Sequence, residues 1–149
     1  MASTLTNLLF HIVFSTKSRL PLITGDIQED LYRYIGGILR NQGGKLLEIG
    51  GMPDHVHLLV RLPARESLSN LLRAIKSDSS GWINREWRDQ RFAWQSGYGA
   101  FTVSQSQVDR VRHYIRTQEE HHRGRSFEDE LRVLLQHHEV EFDERYLWD

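Results

Sequence analysis

The sequence predicts an α+β fold, a sandwich of one central antiparallel sheet with two helices packed on it and further helices at the C-terminal end. Three observations predict it. Short β-rich apolar runs and long amphipathic runs alternate in the order strand, helix, strand, strand, helix, strand. The two middle strands are joined by the turn signal Gly50-Gly51-Met52-Pro53-Asp54, which implies a hairpin. No repeat, low-complexity run or linker interrupts the 149 residues, so they form one domain with room for a real core.

The elements follow in order. Thr4 to Ser15 (TLTNLLFHIVFS) is apolar and β-rich, a first, buried strand that Lys17, Ser18, Arg19 and Pro21 break. Asp26 to Asn41 places Ile27, Leu31, Ile35, Ile38 and Leu39 on one helical face, and Gly43-Gly44 ends that helix. Lys45 to Ile49 is a short strand leading through the glycine turn into a second, His55 to Leu62. Ser67 is placed to cap a long helix carrying Leu68, Leu71, Leu72, Ile75, Trp82 and Ile83. After a connector from Arg88 to Gly97, Tyr98 to Val103 is the fourth strand. This split βαβ order is that of a ferredoxin-like sandwich.

Two helices lie beyond it. Ser106-Gln107-Val108-Asp109 fits a capping box with Asp in place of Glu and opens a helix to about His122. Ser126-Phe127-Glu128-Asp129 opens another, with Leu131, Leu134 and Leu135. The chain thus divides into a core (1–105), a helix segment (106–123) and a C-terminal helix and tail (124–149). Tyr146, Leu147 and Trp148 in the tail are expected to dock on their own domain or on a partner subunit.

Composition narrows the chemistry. There is no cysteine, hence no disulfide framework and no thiolate ligand or nucleophile. No run approaches a membrane span and no basic leader precedes the first strand, so a cytoplasmic protein without membrane contact is expected. A net charge of −1 lacks the basic balance of a typical duplex binder, so any nucleic acid must be met by local patches.

The chemistry concentrates in Asp54-His55-Val56-His57. Side chains alternate along a strand, so His55 and His57 share one face while Val56, Leu58 and Val60 share the other. Two imidazoles fixed on a strand are half of a metal site, or else two hydrogen-bonded histidines. Tyr114 and Gln118 lie four apart on the following helix, hence on one face. A tyrosine beside a divalent cation is competent to attack a phosphate, and a Gln118 carbonyl is placed to complete a three-ligand set. Alternatively Tyr114 is a half-buried core residue, with Tyr32, Tyr34, Tyr98 and Tyr146 as rivals on composition.

An ordered series of motifs bears on the choice. It runs His11-Ile12-Val13-Phe14-Ser15-Thr16-Lys17, then Gly51-Met52-Pro53-Asp54-His55-Val56-His57-Leu58-Leu59-Val60. It continues with Trp94-Gln95-x-Gly97-Tyr98-Gly99-Ala100-Phe101 and ends in Tyr114-Ile115-x-x-Gln118-x-x-His121-His122. This series resembles the single-tyrosine HUH transposases of bacterial insertion sequences and their relatives that mobilise repetitive extragenic palindromes. The resemblance spans nearly the whole chain. It implies a DNA transposase that cleaves and rejoins single-stranded DNA at hairpin-marked ends through a 5′-phosphotyrosine. By position it makes Tyr114 the nucleophile and His55, His57 and Gln118 the ligands of Mg2+ or Mn2+. Two imidazoles suit Mn2+ better than Mg2+, so Mn2+ is expected to serve at least as well. The resemblance also implies a homodimer in which the tyrosine helix completes the partner's histidine site, although the palindrome-mobilising branch can differ. No small-molecule substrate is implied.

Other residues carry two readings. Arg110, Arg112 and Arg116 flank Tyr114 and either grip phosphates or pair with Asp109, Glu119 and Glu120. Lys17, Arg19, Arg73, Lys76 and Arg85 are equally open. His121 and His122 fall in a helix's last turn, to meet DNA or, for one of them, the metal. Trp94 and Tyr98 either stack on unpaired bases or enter the core. Other His-x-His enzymes fit poorly: Leu59 and Leu62 stand where metallo-β-lactamase-like and cupin sites need acids, and an amidohydrolase barrel needs a far longer chain. The non-enzymatic alternative is a ferredoxin-like single-strand nucleic-acid-binding protein without catalysis.

Overall fold

The computed structural model describes residues 3–88 and 91–147. The chain runs β1 (Leu8–Ser15), α1 (Gly25–Asn41), β2 (Lys45–Met52), β3 (His55–Leu62), α2 (Leu68–Glu86) and β4 (Gly99–Val103). Then come α3 (Val108–Arg116), α4 (Gln118–His121) and α5 (Phe127–His137). The strands form one sheet in the order β2-β3-β1-β4. Every neighbouring pair is antiparallel. That is the ferredoxin-like arrangement the sequence predicts.

Alternation along the strands sorts the two faces. Ile12 and Phe14 of β1 and Val56, Leu58, Val60 and Leu62 of β3 point to one side. There they meet Ile27, Leu31, Ile35 and Leu39 of α1 and Leu71, Leu72, Ile75 and Ile83 of α2. Ser67 caps α2 as expected, its hydroxyl accepting from the Asn70 amide at 3.2 Å.

The opposite face is covered too. Val108 and Ile115 of α3 pack on Leu9 and Leu59, while Phe127, Leu131 and Leu135 of α5 pack on Val13 and Phe101. An 11-residue helix is marginal alone, and three buried side chains at roughly 1.5–3 kcal/mol each are what hold α5. Ser126 caps it, accepting from the Asp129 amide at 3.2 Å. The C-terminal helices therefore form a third layer, and the seam between α3 and α5 is where His55, His57 and His11 emerge.

Several boundaries differ from the sequence reading. The first strand begins at Leu8 rather than Thr4, because Leu62 and Val103 end the neighbouring strands and leave earlier residues unpaired. Gly50 and Gly51 belong to β2, paired with His57 and Val56, so the turn shrinks to Pro53-Asp54. The capping box at Ser106 does not form, since a 3-10 turn at Gln105–Gln107 takes its place and Gln107 caps α3 without a side-chain bond. The helix to His122 is also broken, at Thr117 (φ −103°, ψ 31°). In the tail, Leu147 packs against the Val13, Phe101 and Phe127 cluster while Tyr146 stays exposed. Trp148 lies outside the described residues.

Candidate active site

The strand pairing delivers the histidines to one place. His57 pairs with Val13 and His55 with Ser15, so both rings rise from the centre of the sheet beside His11. Both are fully buried. Beside them the Thr16 amide donates to the Asp54 carbonyl at 2.9 Å. The Gln95 amide donates to the Ser15 carbonyl at 2.9 Å while its side-chain oxygen accepts from the Ser15 amide.

Each ring is fixed by a bond at its far nitrogen. His55 Nδ1 lies 2.7 Å from the Asp54 carboxylate and His122 Nδ1 lies 2.7 Å from the Arg125 carbonyl. Both partners are acceptors, so both Nδ1 atoms carry hydrogen, and in the neutral rings the Nε2 lone pairs face inward. His57 Nδ1 meets His11 Nε2 at 2.8 Å.

The inward atoms converge. His55 Nε2 lies 3.1 Å from Gln118 Oε1, and His122 Nε2 lies 3.1 Å from the same oxygen. Gln118 is turned this way because its Nε2 donates to the Tyr114 carbonyl at 3.3 Å. Glu130 of α5 supplies the other acceptor: its Oε1 lies 2.9 Å from His57 Nε2, 3.1 Å from His122 Nε2 and 3.4 Å from His55 Nε2. Its second oxygen accepts from the Tyr114 hydroxyl. Ligand atoms of His55, His122 and Glu130 all lie within 4.8 Å of one another. Lone pairs that converge in a buried space call for protons or a cation between them, so this donor set fits a divalent ion.

The electrostatics follow from burial and neighbours. Burial pushes the His55 pKa down, but bonds to Asp54 and Glu130 more than reverse this and carry it to about 9. Burial lowers His57, and it lowers His11 to about 3. Burial and the adjacent Glu130 charge raise the Tyr114 phenol well above its usual value. Glu130, for all its burial, is held far below the ordinary carboxylate range by His55, His57 and Tyr114.

Tyr114, His55, His57 and Gln118 thus meet in one network within one chain. α3 reaches it by lying directly on β2: a Cβ at Gly50 would collide with the Ile115 carbonyl, so only glycine allows this approach. The flanking basic residues are dispersed. Arg112 donates to the Leu47 carbonyl at 2.8 Å, and Arg116 pairs with Glu48 at 3.0 Å rather than with an acid of its own helix. Arg19 pairs with Glu128 at 3.2 Å. Lys17 and Arg110 are exposed. His121 bonds the Thr117 hydroxyl at 3.1 Å and its ring lies 4.6 Å from that of Tyr114. Trp94 is buried with its Nε1 donating to Ser79, whereas Tyr98 is 40% exposed.

Sequence reasoning did not assign Asp54, His11 or Glu130 a role, and put His122 second to other readings. Asp54 and His11 stood inside the quoted motifs. Glu130 had one faint signal, its place three residues after Phe127 on the apolar face of α5.

Comparison with known proteins bears on this network. Residues 4–118 match the family described as "Transposase IS200 like". The transposase for insertion sequence element IS200 of Salmonella typhimurium is 29% identical over 128 residues, covering 79% of this chain and 81% of the relative. The ISDra2 transposase TnpA of Deinococcus radiodurans is 23% identical over 117 residues, covering 73% and 82%. Among solved structures, one assigned as a transposase of Deinococcus radiodurans aligns with a TM-score of 0.65 at 22% identity, over 79% of this chain and 95% of that one. A REP-associated tyrosine transposase bound to a REP hairpin aligns with a TM-score of 0.55 at 19% identity, over 77% and 70%. At those identities the structural likeness speaks to the fold.

Proposed function

The chain belongs to the IS200-like transposase family, and from that premise we propose that it cleaves and rejoins single-stranded DNA at hairpin-marked element ends, with Tyr114 as the nucleophile. The observation that carries this reading is the contact of the Tyr114 hydroxyl with Glu130, whose other oxygen faces the paired histidines. The Tyr114 hydroxyl and the candidate metal ligands share one hydrogen-bonded network.

In the proposed reaction the Tyr114 phenol gives up its proton, its oxygen attacks the scissile phosphorus and the bond to the 3′-oxygen breaks. This leaves a 5′-phosphotyrosine and, after proton uptake, a free 3′-OH. A second 3′-OH reverses the step, so the energy of the phosphodiester is retained and no ATP is needed. Mg2+ or Mn2+ held by His55, His57 and Gln118 would supply charge to draw in the phosphate and offset its developing negative charge. Asp54 fixes the orientation of His55, and Gln118 is aimed by the Tyr114 carbonyl. Lys17, Arg19, Arg110, Arg112, Arg116 and His121 are the proposed DNA contacts, and Tyr98 is the exposed ring available for stacking. The hairpin partner is supported by the hairpin-bound structural relative. Since the network lies within one chain, the proposed homodimer would carry two complete sites in the cytoplasm.

The test separates chemistry from binding. His55→Ala or His57→Ala is expected to abolish cleavage of a labelled single strand while leaving most hairpin affinity in place. Loss of hairpin affinity in step with cleavage would contradict that division of labour. Hairpin binding without any cleavage, indifferent to chelator and to both substitutions, would favour a binding protein without catalysis.

A further inference from the structure

We propose that Glu130 is itself a ligand of the divalent ion, an anionic oxygen supplied by α5 from beyond the stretch that matches the family. The inference rests on the metal-dependent reading above and adds a residue to it. The family match ends at residue 118, so nothing in it assigns the carboxylate a role.

Three observations carry the assignment. Glu130 is 1% exposed, and among the described residues its ion-pair partners are all imidazoles: His55, His57 and His122. A buried carboxylate needs positive charge beside it, and a divalent ion supplies that charge when the imidazoles serve as neutral ligands. Second, the Nε2 atoms of His55 and His122 point at Glu130 Oε1 from rings whose other nitrogens are already hydrogen-bonded to acceptors. That is how ligating histidines are oriented around an ion. Third, His55, His57 and Gln118 are all neutral donors, whereas Mg2+ and Mn2+ prefer hard, charged oxygen. Glu130 provides it, and its other oxygen keeps Tyr114 beside the site.

The proposal is tested on the whole chain without DNA. Mn2+ binding is measured by titration calorimetry and Mn2+ electron paramagnetic resonance for the unaltered protein, Glu130→Gln and His55→Ala. Glu130→Gln is expected to weaken Mn2+ at least about 10-fold. If His55→Ala loses Mn2+ while Glu130→Gln binds as the unaltered chain does, the proposal falls and the metal-dependent reading stands. If the unaltered chain binds no Mn2+, both fall. A Mn2+-soaked crystal of the unaltered chain, read by anomalous scattering, does not depend on any variant folding. An ion in bonding contact with Glu130 supports the proposal; an ion held by His55, His57 and Gln118 with Glu130 out of reach overturns it.

Discussion

At the scale of single residues, the buried histidines set opposite limits on stability in the metal-free chain. His55 has its pKa raised to about 9, so its contribution is complete below the ordinary value of 6.5 and drains away as pH rises toward 9. His11 and His57 are lowered, so theirs is complete above 6.5 and is lost as pH falls. Glu130 is lowered too, and adds a further loss in acid. The metal-free protein is therefore expected to melt highest near pH 6.5, with Tm falling on both sides. A Tm that climbs steadily from pH 6.5 to 9 would contradict the bonds drawn at His55. The same residues show what sequence can and cannot disclose. His55 and His57 were legible because a strand's alternation forces them together. Glu130 was not, because an acid in a helix's first turns looks like ordinary support for the helix dipole.

At the scale of elements, the site depends on how closely α3 lies on β2. Gly50 makes that approach possible, and any side chain there meets the Ile115 backbone. Gly50→Ala is expected to cost about 1–3 kcal/mol, the usual range for forcing atoms into a packed contact. It should also reduce Tyr114-dependent cleavage by more than it reduces hairpin binding. Stability and cleavage both unchanged would mean that α3 is not seated as described. Periodicity and capping residues located the starts of α1, α2 and α5 to within a residue, since each has a wide apolar face. It missed the break at Thr117, where the backbone leaves helical angles but Gln118 still bonds the Tyr114 carbonyl. Spacing by four survives that break through a side-chain bond, which no pattern of apolar residues reports.

At the scale of the whole molecule, the net charge of −1 limits how DNA can be held. Arg19, Arg112 and Arg116 each face a glutamate, and Lys17 and Arg110 are exposed cations among the proposed contacts. With two or three phosphates neutralised, single-strand affinity should fall with salt at a log–log slope of about −1.4 to −2. A slope several times steeper would require a larger basic surface than these contacts supply. Element order made the core sandwich legible. The third layer was legible only in part: Val108, Val111 and Ile115 ask for a hydrophobic surface under α3, but element order does not tell that α3 and α5 cover the sheet face that holds the histidines.

The central claim is that Tyr114 becomes covalently joined to DNA, and one measurement addresses it directly. Purified protein is mixed with labelled single strands from the DNA flanking its own gene, in the presence of Mn2+, beside the Tyr114→Phe variant. The products are separated in SDS. The account predicts a protein–DNA adduct that withstands SDS and is absent from Tyr114→Phe. An adduct that persists in Tyr114→Phe, or none at all from a chain that binds both hairpin and metal, would contradict it.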